Sequence, residues 1–420
     1  MMPYSILIAI ACLVPRSLAL QPTPADMPQV PGAVPVVLRV ATFNIEDVRT
    51  DDLKNAAHPR LRRLAEVIQR IRPNIILLNE IAYDMPGSPG WSQGDGQGQN
   101  GQRFADTFLS VAQASDVTPI KYKAYMAPSN TGLFSGLDLD HDGKVTATYP
   151  APPSAKSDGT AGEQSKGGIA FAGDCWGFGT FPGQYAMALL VDERLTIDTD
   201  RVRTFQNLPW DYMPGAMFPL KPDATDWHPP AVRAVVRLSS KSHWDVPVKL
   251  PNGAELHMLC SHPTPPVFDG PEKRNARRNH DEIRFWRDYV ANEPYIVDDQ
   301  GLVGGLIMGK DGPRLNVTLP FVVLGDLNAD PKKGDSMDSP MKLLFASRHL
   351  NSQVTPASDV AVEGLEATDT ASFRLRVDYV LPSKSLKVLA SGIWRQKPAG
   401  ESKFPSDHFP VWMEIEVPGN

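Results

Sequence analysis

The feature that most constrains the fold is a strand, a helix and a second strand that follow one another early in the chain. VVLRVATFN (36–44) and NIILLNE (74–80) are short apolar runs typical of buried strands. Between them, residues 59–73 carry apolar side chains at helical spacing, with arginines on the opposite face and prolines at both ends. This alternation predicts an α/β fold in which the two strands end on Asn44 and Glu80.

Similar polar side chains follow the later apolar runs. PFVVLGD (320–326) ends on Asp326, and Asn328 lies two residues further on, so both side chains would point to the same face of an extended chain. Four more polar residues lie in or beside such runs: His262 at the end of AELHMLCSH (254–262), Asp378 within FRLRVDYVL (373–381), and Asp407 and His408 before VWMEIEV (411–417). Oxygen ligands with two histidines and no cysteine cluster suit a hard cation such as Mg²⁺, and not zinc. Taken singly, each residue is typical of a turn, a helix cap or a satisfied histidine, so it is the ordered set that indicates a site.

The middle of the chain has a different composition. Residues 84–183 are rich in Gly, Ser and Gln, which predicts a long loop-rich insertion within one domain that spans 36–418. Strand patterns return at 183–198 and 230–238, and residues 271–292 have the pattern of an amphipathic helix.

Net charge bears on the substrate. At -6, with a pI near 5.9, the chain has no overall positive field to attract nucleic acid, so a polyanionic substrate must meet local Lys and Arg residues or a metal. One such local cluster is KRNARR (273–278). It either guides a phosphate chain towards His262 or forms a solvated helix face with i,i+4 ion pairs.

The N-terminus predicts export. Residues 1–19 have the apolar core and small residues of a signal peptide, and 20–35 form a Pro-rich lead-in. We therefore expect a secreted or periplasmic protein, although no Lys or Arg precedes the apolar core, which leaves a cytosolic chain as the alternative. No later run reaches the ~18 apolar residues of a membrane span. We also expect the protein to be a monomer.

Two smaller features each leave two interpretations open. Cys175 and Cys260 remain once the signal is removed, either as a disulfide or as two buried thiols. The segment around Asp138, Asp140 and Asp142 has the spacing of a calcium loop, but its twelfth position is Tyr149 in place of Glu. A partial structural Ca²⁺ site and a plain Asp-Gly turn are both consistent with it.

Six motifs together resemble a known group. TFNIED, NIILLNE, SHPTPP, GDLNADP, RVDYVL and FPSDHFPVW occur in this order over residues 37–417. The chain is similar here to the endonuclease/exonuclease/phosphatase superfamily, whose fold is deoxyribonuclease-I-like. The resemblance implies a four-layer α/β (α+β) sandwich of two mixed β-sheets flanked by helices.

The resemblance also implies roles for individual residues. A divalent cation, Mg²⁺ or Mn²⁺, would be held by Asn44, Glu46, Glu80 and Asp407. The implied catalytic residues are Asp326 as the group that positions or deprotonates water, Asn328 on a phosphate oxygen, His408 on the scissile phosphate, Asp378 as its orienting carboxylate and His262 as a general acid. Tyr185 and Arg233 fall near a tyrosine and an arginine that contact phosphate in the family.

These observations predict an exported, metal-dependent phosphoesterase. The motifs SHPTPP and GDLNAD favour a nuclease acting on DNA or RNA, and the alternative is a sphingomyelinase-type or other small-substrate phosphodiesterase or phosphatase. A function of another class, an extracellular binding module that has lost its chemistry, should lack Glu80, Asp326 or His408. All three residues are present.

Overall fold

The computed structural model describes residues 34–306, 308–309, 312–313 and 319–419. The predicted signal peptide (1–19) and most of the lead-in (20–35) lie outside the described residues. Within those described, no helix has the length and apolar character needed to cross a membrane.

The strands and helices of the described residues are as follows. The strands are β1 (Val36–Val48), β2 (Ile75–Ile81), β3 (Tyr122–Tyr125), β4 (Met187–Asp192), β5 (Thr196–Ile197), β6 (Arg203–Thr204), β7 (His243–Lys249), β8 (Glu255–Ser261), β9 (Met308–Gly309), β10 (Gly312–Pro313), β11 (Phe321–Asp326), β12 (Asp378–Pro382), β13 (Lys387–Ile393) and β14 (Val411–Val417). The helices are α1 (Thr50–Lys54), α2 (Pro59–Ile71), α3 (Asn100–Phe104, continued by a π-helical turn at Ala105–Leu109), α4 (Lys166–Gly173), α5 (Pro230–Arg233), α6 (Arg274–Val290) and α7 (Pro340–Phe345), with 3₁₀ turns at Thr199–Arg201 and Trp210–Tyr212.

Two mixed sheets form the centre of the molecule. The first has the order β13-β14-β1-β2-β4-β3, and the second has the order β12-β11-β8-β7-β5, with β6 also paired to β7. Each sheet contains one parallel pair, β1 with β2 and β8 with β11, and its other neighbours are antiparallel. The carboxyl ends of each parallel pair therefore meet at one edge of their sheet.

Side chains that alternate along the strands build three apolar layers. Leu77 of β2 and Leu324 of β11 point into the core between the sheets. Ile76 faces α2 on the outside of the first sheet, and Val323 faces α6 and α7 on the outside of the second. The predicted four-layer sandwich of two mixed sheets and flanking helices is confirmed.

Helix α2 confirms the helix predicted at 59–73, with one correction. His58 caps its start, its Nδ1 accepting the N–H of Leu61 at 3.4 Å, and Arg72 ends it in the left-handed region. The apolar face is buried as expected. Arg60, expected on the solvent face, is instead buried, and its guanidinium donates to backbone carbonyls of β1 and of the loop at Gly159.

Helix α6 confirms the helix predicted at 271–292, but Arg278 does not lie on a solvated face in the i,i+4 ion pair that was one interpretation of its basic cluster. Arg278 points inward and donates to the carbonyl oxygens of Trp176, Arg237, Leu238 and Ser239. Arg274 and Arg277 likewise donate to loop carbonyls. These three arginines therefore fasten loops to the helix, while guidance of a phosphate chain by the cluster stays a prediction.

Other segments differ from the sequence expectation. The strand predicted at 230–238 is wrong, because Pro229 and Pro230 start the short helix α5 there. The strand predicted at 373–381 begins only at Asp378. Residues 84–183, expected to be loop-rich, also contain α3, α4 and the edge strand β3. Within the described ranges, both remaining cysteines are buried free thiols, so they do not form the disulfide that was one alternative.

Candidate active site

The chain topology brings the polar strand ends to one place. Asn44 and Glu80 lie near the carboxyl ends of the parallel strands β1 and β2, while His262 and Asp326 lie at those of β8 and β11. Strand β12 runs antiparallel to β11, so its first residue, Asp378, is paired directly with Asp326. Residues far apart in sequence thus meet where the two sheets open to one side.

His408 reaches this edge on the loop before β14. Ser406 fixes the loop, its Oγ donating to the carbonyl of Asn44 at 2.8 Å and accepting the backbone N–H of His408 at 3.1 Å. On the other side, Ala371 forms an isolated β-bridge with His408, and the ring of Phe373 packs edge-on against the imidazole at 5.3 Å. The histidine is therefore held from both sides.

Unusual backbone conformations are concentrated at this edge. Glu46, Asp47, Glu80 and Asn328 all have φ between +45° and +64°. A left-handed conformation costs a non-glycine residue energy and persists only where surrounding contacts impose it. Here Arg60 supplies such contacts, donating to the carbonyls of Ile45 at 2.8 Å and Glu46 at 2.7 Å.

Asn44 bridges the two carboxylates that come from different sheets. Its Nδ2 donates to Glu80 Oε1 and to Asp326 Oδ2, both at 3.0 Å. Its Oδ1 accepts the backbone N–H of Glu46 at 3.0 Å. In this orientation Asn44 positions Glu80 and Asp326, while its own oxygen is already engaged.

Three carboxylates form an acidic corner beside Asn44: Glu46, Glu80 and Asp407. The backbone N–H of Asp407 hydrogen-bonds to Glu46, and the two charges repel. Burial, together with the charge of Asp407, raises the pKa of Glu80 to about 7. A divalent cation would relieve this repulsion and restore the ionised carboxylates, so the corner fits the hard cation expected from the sequence.

Two further groups of candidate ligands adjoin this corner. Single ligand atoms of Glu80, His262 and Asp326 lie within 4.8 Å of one another, and the same holds for Asp326, Asp378 and His408. Asp326 belongs to both sets. It therefore lies between the acidic corner and the histidines.

The charges of the histidine side are set by burial and pairing. His408 Nδ1 lies 2.8 Å from Asp378 Oδ2, and its Nε2 lies 3.8 Å from Asp326 Oδ2. Burial opposes protonation, but these two carboxylates raise the pKa of His408 well above its ordinary value. Burial also opposes the ionisation of Asp326, yet His408 and His262 hold the pKa of Asp326 well below its ordinary value. Asp326 is thus ionised beside a protonated His408.

His262 differs from His408 in charge. Burial, with the nearby cation of Lys241, lowers the pKa of His262 to about 4. Its Nε2 lies 3.5 Å from Asp326, and among the described residues its buried Nδ1 has no hydrogen-bond partner. A neutral imidazole is a poor general acid, but it can donate a hydrogen bond to a phosphate oxygen.

Lys241 is a site residue that the sequence analysis missed. It is 6% exposed, its Nζ donates to the carbonyl of Pro263 at 3.3 Å, and its charge interacts with Glu80, Asp326 and Glu282. Burial lowers the pKa of Lys241 and the three carboxylates oppose that change. The available signal was a lysine just before β7, a strand that we did not predict.

The remaining predicted residues divide into two groups. Asn328 belongs to the site: its backbone N–H donates to Asp326 at 2.9 Å and its Nδ2 to the carbonyl of Pro263 at 3.1 Å. Tyr185 lies close by, since Asp47 and Glu80 add to the effect of burial in raising its pKa. Arg233 is not brought in, because on α5 it pairs with Asp211 and Asp226 and its guanidinium packs on Phe218.

The predicted calcium loop lies outside this site. Ligand oxygens of Asp138, Asp140 and Asp142 are within 4.8 Å of one another. Asp138 Oδ1 is buried without a hydrogen-bond partner among the described residues. Tyr149 at the twelfth position instead donates its hydroxyl to the carbonyl of Gly87 at 2.7 Å.

Comparisons with known proteins agree with this architecture. A family model described as the endonuclease/exonuclease/phosphatase family matches residues 41–408. Similar solved structures include the endonuclease/exonuclease/phosphatase from Beutenbergia cavernae DSM 12333 (18% identity, 91% of this chain and 72% of that chain, TM-score 0.47). Others are the human Nocturnin catalytic domain with bound sulfate anion (14%, 91% and 93%, 0.41) and a humanized D. rerio TDP2 (10%, 90% and 98%, 0.40). No curated protein matches the chain.

Proposed function

We propose, since this chain belongs to the endonuclease/exonuclease/phosphatase family, that it is a divalent-metal-dependent hydrolase of phosphate esters. Members of this family are generally hydrolases of such bonds. The observation that carries the proposal is the position of Asp326, an ionised carboxylate held between the acidic corner and a protonated His408.

Each charged group then has a chemical role. A cation held at Glu46, Glu80 and Asp407 would neutralise charge on the phosphate. Asp326 accepts a proton from the attacking water, a contribution of about 10²–10⁴-fold. His408 is the histidine with the raised pKa, so it carries the proton that neutralises or protonates the departing oxygen, and Asp378 keeps its ring in place.

The residues proposed to bind the phosphate lie on the side of the pocket away from the acidic corner. Lys241 supplies a buried positive charge, and His262 and Asn328 supply hydrogen-bond donors. Donors fixed in a dry site stabilise developing charge because they need no reorganisation during the reaction. Residues at one edge of the fold can thus contact the attacking water, the phosphate and the leaving group.

The proposed substrate is a phosphodiester of DNA or RNA. Phe373 supports a planar group next to the phosphate, because its ring is 46% exposed yet sits on a turn fastened beside His408. Sphingomyelin-type diesters and small monoesters remain the alternative substrates. They differ from nucleic acid in the group that would lie against Phe373.

The test is a substrate panel with the purified chain that begins at residue 20. It contains duplex and single-stranded DNA, RNA, sphingomyelin and a p-nitrophenyl monoester, each with Mg²⁺, with Mn²⁺ and with a chelator. We expect turnover of a nucleic acid that the chelator abolishes and either cation restores. No turnover of any phosphate ester with metal present would refute the proposal, and turnover of sphingomyelin or the monoester alone would move it to the alternative.

Export is part of the proposal and has its own test. It rests on residues 1–19. We expect the full-length chain, made in a bacterium with a periplasm, to appear there with a new N-terminus after Ala19. A full-length chain retained in the cytosol would contradict export without affecting the proposed chemistry.

We also propose a structural Ca²⁺ at Asp138, Asp140 and Asp142, supported by their spacing and the unpartnered Asp138 oxygen. A bound ion stabilises the folded state by mass action. The expected result is a melting temperature that rises with Ca²⁺ and does so less in Asp140→Asn. A melting temperature indifferent to Ca²⁺ would favour the plain Asp-Gly turn.

A further inference from the structure

Glu282 on α6 is a buried carboxylate behind the proposed phosphate-binding side. Its side chain is 0% exposed, and its two oxygens are divided between two loops. Oε1 accepts the backbone N–H of Ser240 at 2.6 Å and the Ser240 hydroxyl at 2.8 Å, and Oε2 accepts the backbone N–H of Thr264 at 2.6 Å. Ser240 precedes Lys241, and Thr264 follows His262 by two residues.

Asn279, one helical turn earlier, extends the same arrangement. Its Nδ2 donates to the carbonyl of Thr264 at 2.8 Å and to that of Leu327 at 3.0 Å. Leu327 precedes Asn328. One face of α6 is therefore bonded to all three loops that carry proposed phosphate-binding groups.

The three loops are also bonded to one another on the side of the pocket. Pro263 accepts a hydrogen bond from Lys241 and another from Asn328 through its single carbonyl oxygen. A shift of the 262–264 loop would therefore displace both donors together. The bonds from Glu282 are what fix that loop against α6.

We infer that Glu282 is a positioning residue that sets Lys241 and His262 against the phosphate. The inference rests on the proposed function. A carboxylate is required because two backbone N–H groups point at two separate oxygens, whereas a glutamine amide would face one of them with a donor. The negative charge also compensates the buried cation of Lys241.

Asp281, the neighbouring residue, provides a matched control. It is also 0% exposed, and its Oδ2 accepts the indole N–H of Trp210 and the backbone N–H of Met217, both at 2.6 Å. These bonds fasten the 210–217 loop, which carries none of the proposed site residues. Asp281→Asn should therefore reproduce the structural cost of losing a buried carboxylate without the effect on the site.

The experiment compares Glu282→Gln with Asp281→Asn by urea unfolding, kcat/KM on the preferred ester, and calorimetric binding of Mn²⁺ and of inorganic phosphate. Both variants should lose stability. Glu282→Gln should also lower kcat/KM by about 10- to 100-fold, as is usual when the support of a site residue is lost. It should weaken phosphate binding and leave the Mn²⁺ Kd within about twofold, because Glu46 and Glu80 lie on β1 and β2 and Asp407 lies on the loop before β14. Asp281→Asn should leave kcat/KM and phosphate binding unchanged.

A double variant shows whether Glu282 acts through Lys241. Groups that act as a unit give non-additive effects. Glu282→Gln should therefore lower kcat/KM and phosphate affinity much less in the Lys241→Met background than in the wild type. Equal effects in the two backgrounds would overturn the inference, as would a Glu282→Gln protein with unchanged kcat/KM and phosphate binding.

Two further outcomes have their own tests: a Glu282→Gln variant that does not fold, and a wild type without turnover. If Glu282→Gln does not fold, Ser240→Ala removes only the hydroxyl bond to Oε1, and kcat/KM should fall about three- to fivefold, in line with ~1 kcal/mol for one hydrogen bond; an unchanged value would count against the inference. If the wild type turns over no ester, the proposed function fails, and phosphate binding alone decides the role of Glu282.

Discussion

Two buried histidine–carboxylate groups in this molecule have similar geometry, but we expect one to be catalytic and the other to be structural. The site cluster consists of Asp326, Asp378, His262 and His408, and the network cluster consists of Asp245, Glu255, His257 and Tyr289. In both, a histidine Nδ1 meets an aspartate oxygen at short distance, 2.8 Å for His408 and 2.7 Å for His257. Burial opposes protonation in both, yet the carboxylates raise the pKa of both histidines.

The difference lies in what remains unpaired. In the network cluster, His257 Nε2 lies 3.0 Å from Glu255, and the Tyr289 hydroxyl donates to the second oxygen of Asp245 at 2.5 Å. In the site cluster, His262 Nδ1 and Asp378 Oδ1 are buried without partners among the described residues. Unpaired buried polar atoms are costly, so they indicate a place where a ligand completes the bonding.

Position in the strands differs as well. Asp245 and His257 lie within β7 and β8, on the face that packs against α6, whereas the site residues lie at or beside strand ends. A histidine–aspartate pair is therefore a weak sign of function by itself. Unpaired atoms and strand ends carry the information.

The largest expected effect is loss of activity from the site cluster. Asp326→Asn should lower kcat by about 10²–10⁴-fold because it removes the proton acceptor. The protein should still fold, with a thermal midpoint below that of the wild type because the buried pair with His408 is lost. Steady-state kinetics with Mg²⁺ and a thermal melt measure the two quantities, and near-normal turnover would place the chemistry elsewhere.

The matching change in the network cluster should affect stability instead. Asp245→Asn breaks a buried pair and leaves His257 and Tyr289 poorly matched, at a cost of about 3–5 kcal/mol in the free energy of unfolding. The folded protein should keep its kcat. Urea unfolding checks this, with exposed Asp200→Asn as control, and a selective loss of kcat would erase the distinction between the clusters.

The network cluster should also make stability depend on pH. Its carboxylates raise the pKa of His257 to about 9, against an ordinary value near 6.5. A raised pKa stabilises the folded state fully below pH ~6.5, and that contribution, on the order of 3 kcal/mol, is lost as pH rises to about 9. Urea unfolding at pH 6, 7.5 and 9 should show the decline, and His257→Gln should flatten it; parallel curves would contradict this assignment.

The smallest expected effect concerns one hydrogen bond. Tyr289→Phe removes the donor to Asp245 and should cost about 2 kcal/mol, as for hydrogen bonds to charged groups. Activity should not change. Chemical unfolding and steady-state kinetics on the same preparation measure both, and Tyr295→Phe, which removes a donor to Asp288 of α6, tests a half-buried hydroxyl for comparison.

Much of the fold could be predicted because local patterns and tertiary contacts agree there. Helix α2 and the strands β2, β11 and β14 have apolar patterns that match the layers they bury. Strand β7 was missed although Trp244, Val246 and Val248 alternate in it. The residues that alternate with them include His243 and Asp245, polar groups that are buried only because distant partners satisfy them.

The sequence by itself determined which chemical groups are present at the strand ends, since Glu80 and Asp326 close apolar runs typical of buried strands and His408 precedes another. Tertiary structure decided which of them lie together and in what charge state. It turned Arg278 inward, kept Arg233 away from the site and brought in Lys241. The physical reason is that hydrophobic pattern is a local property, whereas pKa values and hydrogen-bond partners depend on burial and on charges far away in the chain.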